Sequence, residues 1–158
     1  MPGEARVFLG TSVLFAAVLS ERGGARMILK LAEAGAVAPW VGPGVLREAE
    51  AVLAEKSPQS RPYFALLLDL AQVQVGPEAG SDALAQARSA IDHPGDAQIM
   101  AEALTVGVDY LVSLGRKHLV GNARRRELPL LVGSPGEFLA WYRARLANSG
   151  PQARHRAA

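Results

Sequence analysis

Short apolar runs alternate with stretches of helical periodicity along the chain. Five runs rich in β-branched or large apolar residues predict strands at 6–9, 36–41, 73–75, 109–113 and 128–132. Helical spacing of apolar residues predicts helices at 12–20, 25–34, 43–56, 61–70, 81–91, 95–106 and 135–146. Strands that alternate with helices favour parallel pairing through right-handed crossovers. The pattern therefore predicts an α/β fold, a three-layer α/β/α arrangement around a central, mainly parallel sheet.

Residues at the helix ends support these boundaries. Ser134, followed by Pro135 and Glu137, predicts a capping box. Ser81 is expected to cap its own helix, and Gly107 is expected to end the helix before it. On the helix at 25–34 one face is predicted to be buried, and it comprises Met27, Ile28, Leu31 and Ala32.

Composition narrows the class of protein. The 158 residues are 49% hydrophobic and 20% charged, which suits one domain with one core. The chain has no cysteine, which excludes disulfides, thiolate metal sites and cysteine nucleophiles, and its three histidines lack ligand-like spacing. Apolar runs are too short for a membrane span, and no signal peptide is evident. We expect a cytoplasmic protein with one domain over residues 1–147 and a disordered basic tail over 148–158.

Charge is distributed unevenly. Residues 116–158 hold nine Lys or Arg and two acids, a net of +7, whereas residues 1–115 carry a net of −5. Clustered cations favour nucleic-acid binding because they neutralise phosphates and release counterions. The alternative is an ordinary solvated surface. The candidate RNA-binding residues are Arg116, Lys117, Arg124, Arg125 and Arg126.

The ends of two predicted strands mark the place to look for chemistry. In open parallel sheets the functional crevice forms at the carboxyl ends of the strands. Two of those ends read Gly10-Thr11-Ser12 and Ser113-Leu114-Gly115. Neither carries a P-loop, a G-x-G-x-x-G fingerprint or a G-x-S-x-G elbow.

Four stretches together carry a family resemblance. They are RVFLGTSVLF at 6–15, VLREAEAVL at 45–53, DHPGDAQIMAEALTVGVDYLVSLGRKHLV at 92–120 and PGEFL at 135–139. In order and spacing they resemble the PIN domain, the nuclease-like fold of many bacterial toxin–antitoxin ribonucleases. The resemblance implies four site acids, of which Glu48 and Asp96 match the second and third. Gly10 and Gly115 stand where the family has the first and fourth, both Asp.

These two replacements change what the resemblance implies for catalysis. Mg²⁺ or Mn²⁺ is held by carboxylate oxygens and would supply the hydroxide for phosphodiester cleavage. With Glu48 and Asp96 as remnant catalytic acids, we expect weak metal binding at most. Asp92 is a candidate stand-in, and Thr11, Ser12 and Ser113 would form a polar rim. Glu50, Asp109 and Glu102 are placed by their helix or strand positions away from such a site.

Structural interpretations compete with each assignment. Asp92 could simply cap the helix that follows, and Asp96 could complement that helix's dipole. Thr11 and Ser12 could cap the first helix, and Glu48 could be a solvated residue.

Three hypotheses on function follow. The first is a catalytically impaired PIN-like protein that binds RNA or an antitoxin-like protein partner, with a homodimer expected. The alternative is an active Mg²⁺- or Mn²⁺-dependent endoribonuclease toxin with a reduced acidic site. A third is a structural dimer encoded within an operon whose partner supplies regulation.

Overall fold

The computed structural model describes residues 4–115 and 127–149 of the chain. Within these ranges the chain forms five strands and seven α-helices. The strands are β1 (Ala5–Leu9), β2 (Val37–Val41), β3 (Gln74–Val75), β4 (Tyr110–Val112) and β5 (Val132–Gly133). The helices are α1 (Thr11–Leu19), α2 (Gly24–Glu33), α3 (Pro43–Lys56), α4 (Arg61–Leu70), α5 (Ser81–Ala90), α6 (Pro94–Val106) and α7 (Pro135–Asn148). A short 3₁₀ helix, Pro58–Ser60, precedes α4.

The sheet is parallel throughout and has the strand order β3-β2-β1-β4-β5. β1 lies in the centre, where Phe8 pairs with Trp40 of β2 on one side and with Leu111 of β4 on the other. The helices complete an α/β/α arrangement, so the predicted fold class is confirmed.

Central strands are buried on both faces. Val7, Phe8 and Leu9 are at most 1% exposed, as is Leu111 in the neighbouring strand. This two-sided burial explains why β1 and β4 are continuous apolar runs in the sequence rather than alternating ones. Phe138 of α7 packs edge-on against Tyr110, with ring centroids 5.2 Å apart, and ties the last helix to the sheet.

Helix α2 presents a different face to the core than its apolar spacing predicted. Ile28 and Ala32 are buried as expected, but Met27 is 45% exposed and Arg26 is buried instead. The Arg26 guanidinium donates through Nε and Nη2 to the Ala17 carbonyl, at 2.9 and 2.5 Å. That carbonyl lies near the end of α1, so the buried guanidinium of α2 caps the carboxyl end of α1.

The last strand begins later than predicted. Pro129 has no N–H to donate, and the stretch 128–131 does not join the ladder as a strand. Pairing starts where Leu111 N–H donates to the Leu131 carbonyl and continues where Ser113 N–H donates to Gly133. β5, the strand that pairs with β4, therefore lies at the carboxyl end of the strand predicted at 128–132.

The structure also tests the predicted end of the last helix and the prediction that no segment spans a membrane. Helix α7 runs to Asn148, two residues past the expected end, and residues 150–158 of the predicted tail lie outside the described part. No helix in residues 4–115 or 127–149 has the length and apolar character required to cross a membrane.

Two serines at helix starts give a matched test of local stabilisation. Ser134 forms the predicted capping box with Glu137, whereas Gly80, not Ser81, is the N-cap of α5 and no side chain caps it. Ser134→Ala should lower the free energy of unfolding by about 1 kcal/mol because a first-turn N–H loses its acceptor. Urea denaturation measures the change. Ser81→Ala is the control and should leave the midpoint nearly unchanged; equal losses would contradict the assignment of the caps.

Candidate functional site

The site lies where β1 and β4 end side by side. Gly10 N–H donates to the Val112 carbonyl at 3.0 Å, which fixes the residues after β1 against those after β4. Gly10 is the N-cap of α1, and its backbone is extended, with φ −75° and ψ 165°. The two predicted strand ends therefore meet at one edge of the sheet.

A hollow of about 190 Å³ opens at this edge. Four segments distant in sequence contribute to it: the start of α1, the middle of α3, the start of α6 and the turn after β4. Its lining consists of Thr11, Ser12, Glu48, His93, Gly95, Asp96, Ile99, Ser113 and Gly115.

Each of the two remnant acids has a polar side chain beside it. Thr11 Oγ1 donates to Glu48 Oε2 at 3.3 Å, which joins the start of α1 to α3. Asp96 lies in the first turn of α6, and its Oδ2 is 3.3 Å from His93 Nδ1. The Asp96 side chain is 19% exposed. Glu48 and Asp96 thus line the same hollow, as the resemblance implied.

The hydroxyl groups of the rim organise the turn after β4. Ser12 Oγ accepts from Leu114 N–H at 3.1 Å, and Ser113 Oγ accepts from Gly115 N–H at 2.9 Å. Neither Thr11 nor Ser12 caps α1 through its side chain. The alternative interpretation of these two residues as helix caps is therefore wrong.

Gly10 and Gly115 occupy positions where a side chain would approach Ser113, and Gly115 itself lines the hollow. A Cβ on Gly10 would lie 3.8 Å from Ser113 Oγ and 3.3 Å from the Val112 carbonyl oxygen. A Cβ on Gly115 would lie 3.1 Å from Ser113 Oγ and 3.9 Å from Asp96 Oδ1. Carboxylates at these two positions would therefore both be placed beside Ser113, and the one at position 115 would also be close to Asp96.

Other candidates lie elsewhere. Asp92 is exposed, is not the cap of α6 and does not line the hollow. Asp109 is at the opposite end of β4, where its Oδ2 accepts from Arg6 N–H at 2.8 Å. Glu50 lies in a different cavity, between α3 and α4. Arg116, Lys117 and Arg124 to Arg126 lie outside the described residues.

Sequence reasoning missed His93, the residue that caps α6. Its Nδ1 accepts from the Asp96 N–H at 3.2 Å, and the ring stands over Gly95, whose Cβ would be 3.1 Å from His93 Cε1. A cap three residues before an acid resembles the usual Ser or Asp signature, and Pro94 at the first helical position marks the boundary. That signal places the cap at position 93.

Sequence reasoning placed Glu102 away from the site and also missed the contact that it makes. It is 1% exposed, and its Oε2 accepts from Gly44 N–H at 3.3 Å at the start of α3. Burial raises the pKa of its carboxyl group, as does the Glu78 charge, whereas hydrogen bonds from Gln98 and Gly44 and the Arg47 charge lower it. Burial is the largest of these effects.

The donor set of the hollow does not suit a firmly held divalent cation. Mg²⁺ and Mn²⁺ require several converging oxygen ligands. In residues 4–115 and 127–149 no group of three or more His, Cys, Asp or Glu side chains converges in a way that could hold a metal ion. Glu48 and Asp96 supply carboxylates, but positions 10 and 115 supply none.

The parallel sheet, with this hollow at its carboxyl edge, defines a three-layer α/β/α protein. The family model of the PIN domain matches residues 6–117, and the chain belongs to the PIN domain family. No curated protein resembles it closely enough to count as a relative.

Two solved structures show similarity to this fold. VapBC2 from Rickettsia felis, bound to a DNA fragment from its promoter, has a TM-score of 0.61 and 14% identity, over 82% of this chain and 98% of that chain. VapC20 from Mycobacterium tuberculosis, a Sarcin-Ricin loop cleaving toxin, has a TM-score of 0.47 and 19% identity, over 66% and 86%. At this identity the first likeness supports the fold alone.

Burial of Glu102 predicts a pH-dependent contribution to stability. Because the folded-state pKa of Glu102 is raised, the folded protein holds this proton to a higher pH than the unfolded chain does. The contribution of Glu102 to the free energy of unfolding therefore falls as pH rises through the folded-state pKa. Glu102→Gln removes the charge. The variant should gain stability relative to the wild type as pH increases, and the difference should shrink below the ordinary pKa of Glu.

Urea denaturation at a series of pH values measures this difference. Glu55→Gln, on the exposed end of α3, is the matched control and should give a flat difference. A Glu102→Gln difference that does not grow with pH would show that Glu102 is charged at no cost in the folded state.

Proposed function

We propose that this PIN-domain protein is catalytically impaired as a metal-dependent nuclease and acts by binding RNA. The observation that carries the proposal is the pair Gly10 and Gly115. Gly115 lines the hollow that holds Glu48 and Asp96, Gly10 precedes its lining residue Thr11, and neither glycine carries a side-chain ligand atom. Two acids on separate helices leave a metal poorly positioned, and imprecise positioning costs orders of magnitude in rate.

The binding half of the proposal is supported by charge. Residues 116–158 carry a net charge of +7, and they follow directly after the edge of the hollow at Gly115. Phosphate groups bind such clusters through counterion release without any requirement for a metal. Arg116, Lys117, Arg124, Arg125 and Arg126 are the proposed contacts.

A protein partner is a second candidate, favoured by an apolar groove. Met27 and Leu31 of α2 and Leu139 and Leu146 of α7 line a cavity of about 480 Å³. Exposed apolar surface of this kind is typical of interaction sites. A second copy of the chain or an antitoxin-like protein would cover it, and the molar mass of the isolated chain by light scattering distinguishes the two.

The metal half is tested by restoring the missing acids. Calorimetric titration of Mn²⁺ into the wild type should show weak binding or none. Gly10→Asp combined with Gly115→Asp should create measurable binding, since both new carboxylates would lie beside Ser113 and the one at position 115 would lie near Asp96. The extended backbone at Gly10 accepts an aspartate, with a shift of a few tenths of an ångström against the Val112 carbonyl.

Controls in the restored variant locate the ligands. Adding Asp96→Asn should abolish Mn²⁺ binding, whereas adding Asp92→Asn should not, because Asp92 does not line the hollow. Tight Mn²⁺ binding by the unmodified chain, together with cleavage of RNA that requires the metal, would instead support the active endoribonuclease.

The RNA half is tested by salt dependence. Affinity for a fluorescently labelled single-stranded RNA should fall steeply as salt rises. Replacing Arg124, Arg125 and Arg126 by Ala should make the slope of log K against log salt less negative by about 2, the value for three lost contacts on a single strand.

A matched triple variant keeps the net charge change the same. Arg22, Arg61 and Arg88 are exposed and lie outside the basic quarter, so their replacement by Ala should leave the slope nearly unchanged. Equal effects of the two triple variants, or no binding at low salt, would contradict RNA binding through the basic quarter.

A further inference from the structure

We infer that Glu102 is a positioning residue for the acid pair, because it joins the helix that carries Asp96 to the start of the helix that carries Glu48. The inference rests on the proposed function in taking Glu48 and Asp96 as the acids of the site. Glu102 itself does not line the hollow. It would act through the placement of α6 relative to α3.

The contact is formed at an unpaired helix end. Gly42 is the N-cap of α3, Pro43 has no N–H, and no side chain caps this helix from within its own segment. Gly44 N–H is one of the first-turn donors that lack an intrahelical acceptor. Glu102 Oε2, 58 positions away in sequence, accepts from it at 3.3 Å.

Two glycines make room for the carboxyl group. A Cβ on Gly42 would overlap Glu102 Oε2, and a Cβ on Gly44 would overlap Oε1. The close approach of α6 to the end of β2 is thus matched to Gly-Pro-Gly at 42–44. Glu102 Oε1 has no hydrogen-bond partner among the described residues, so a buried carboxyl group is kept here at a cost.

The distances along the helices connect this contact to the site. Glu48 lies four residues after Gly44, about one turn along α3, and Asp96 lies six residues before Glu102, about 9 Å along α6. Both helices are rigid over such lengths, so a shift at the Gly44–Glu102 contact moves one acid relative to the other. Packing of apolar side chains alone would hold the helices together without fixing their register through a directional bond.

Two charged side chains influence Glu102, one from α3 and one from the segment before α5. Arg47 on α3 favours its charged form and Glu78, in the segment before α5, disfavours it. These two residues form an exposed ion pair at 3.2 Å. Protonation of Glu102 therefore changes the charge that α6 presents to the start of α3.

The test uses NMR signals of the full chain, which need neither RNA nor metal. Glu102→Gln keeps an acceptor for Gly44 N–H, whereas Glu102→Met keeps the volume and removes the acceptor. We expect Glu102→Met to shift the signals of the Thr11 methyl group and the Asp96 amide, and Glu102→Gln to leave them near the positions that the wild type shows when Glu102 is protonated. Glu55→Gln is the control for removal of one acidic charge.

A pH series keeps the inference testable if Glu102→Met does not fold. In the wild type the Thr11 and Asp96 signals should show a transition that follows Glu102 protonation and that disappears in Glu102→Gln. Changes confined to Gly42, Gly44 and Gln98 in every variant, with identical pH series for Thr11 and Asp96, would overturn the positioning role. Failure of RNA binding would contradict the proposed function and leave this result unaffected.

Discussion

The parallel pairing of β1 with β4 is the constraint on which the site depends. Phe8 stands opposite Leu111, and both side chains are fully buried, so a slip of one residue would exchange the side chains that face the two helical layers and disrupt the close packing of both. With the register fixed, Gly10 N–H reaches the Val112 carbonyl, and the two strand ends lie side by side. Helices α3 and α6 then complete the hollow with one acid each. The positions of the site residues that follow β1 and β4 depend on that register.

Much of this arrangement could be predicted because it has local causes. Two-sided burial makes β1 and β4 continuous apolar runs, and the Ser134–Glu137 capping box is encoded within four residues. Features decided by distant contacts could not be predicted in the same way. Arg26 replaces Met27 in the buried face of α2 because it reaches the end of α1. Gly80, whose N–H donates to Thr105 Oγ1 of α6 at 3.0 Å, is the N-cap of α5 in place of the expected Ser81.

The site shows the same division. Convergence of the strand ends, and the shared hollow of Glu48 and Asp96, follow from general rules for parallel sheets together with the family resemblance. Glu102 escaped prediction because a glutamate within a helix normally faces solvent. Its partner, Gly44, belongs to a segment whose glycines suggest a turn, and nothing in the local sequence links the two. A buried acid can be recognised only when the space that two distant glycines leave open is known.

The two glycines also change the electrostatics of the hollow. Four carboxylates in so small a space would disfavour one another's charge unless a cation neutralised them. With Gly10 and Gly115 in place, two acids remain, and the protein itself stabilises both. Glu48 accepts from the Thr11 hydroxyl, and Asp96 lies in the first turn of α6, where the helix dipole favours negative charge. Two carboxylates repel each other less than four would, so the same two replacements that remove metal ligands also weaken the electrostatic attraction of the hollow for a metal.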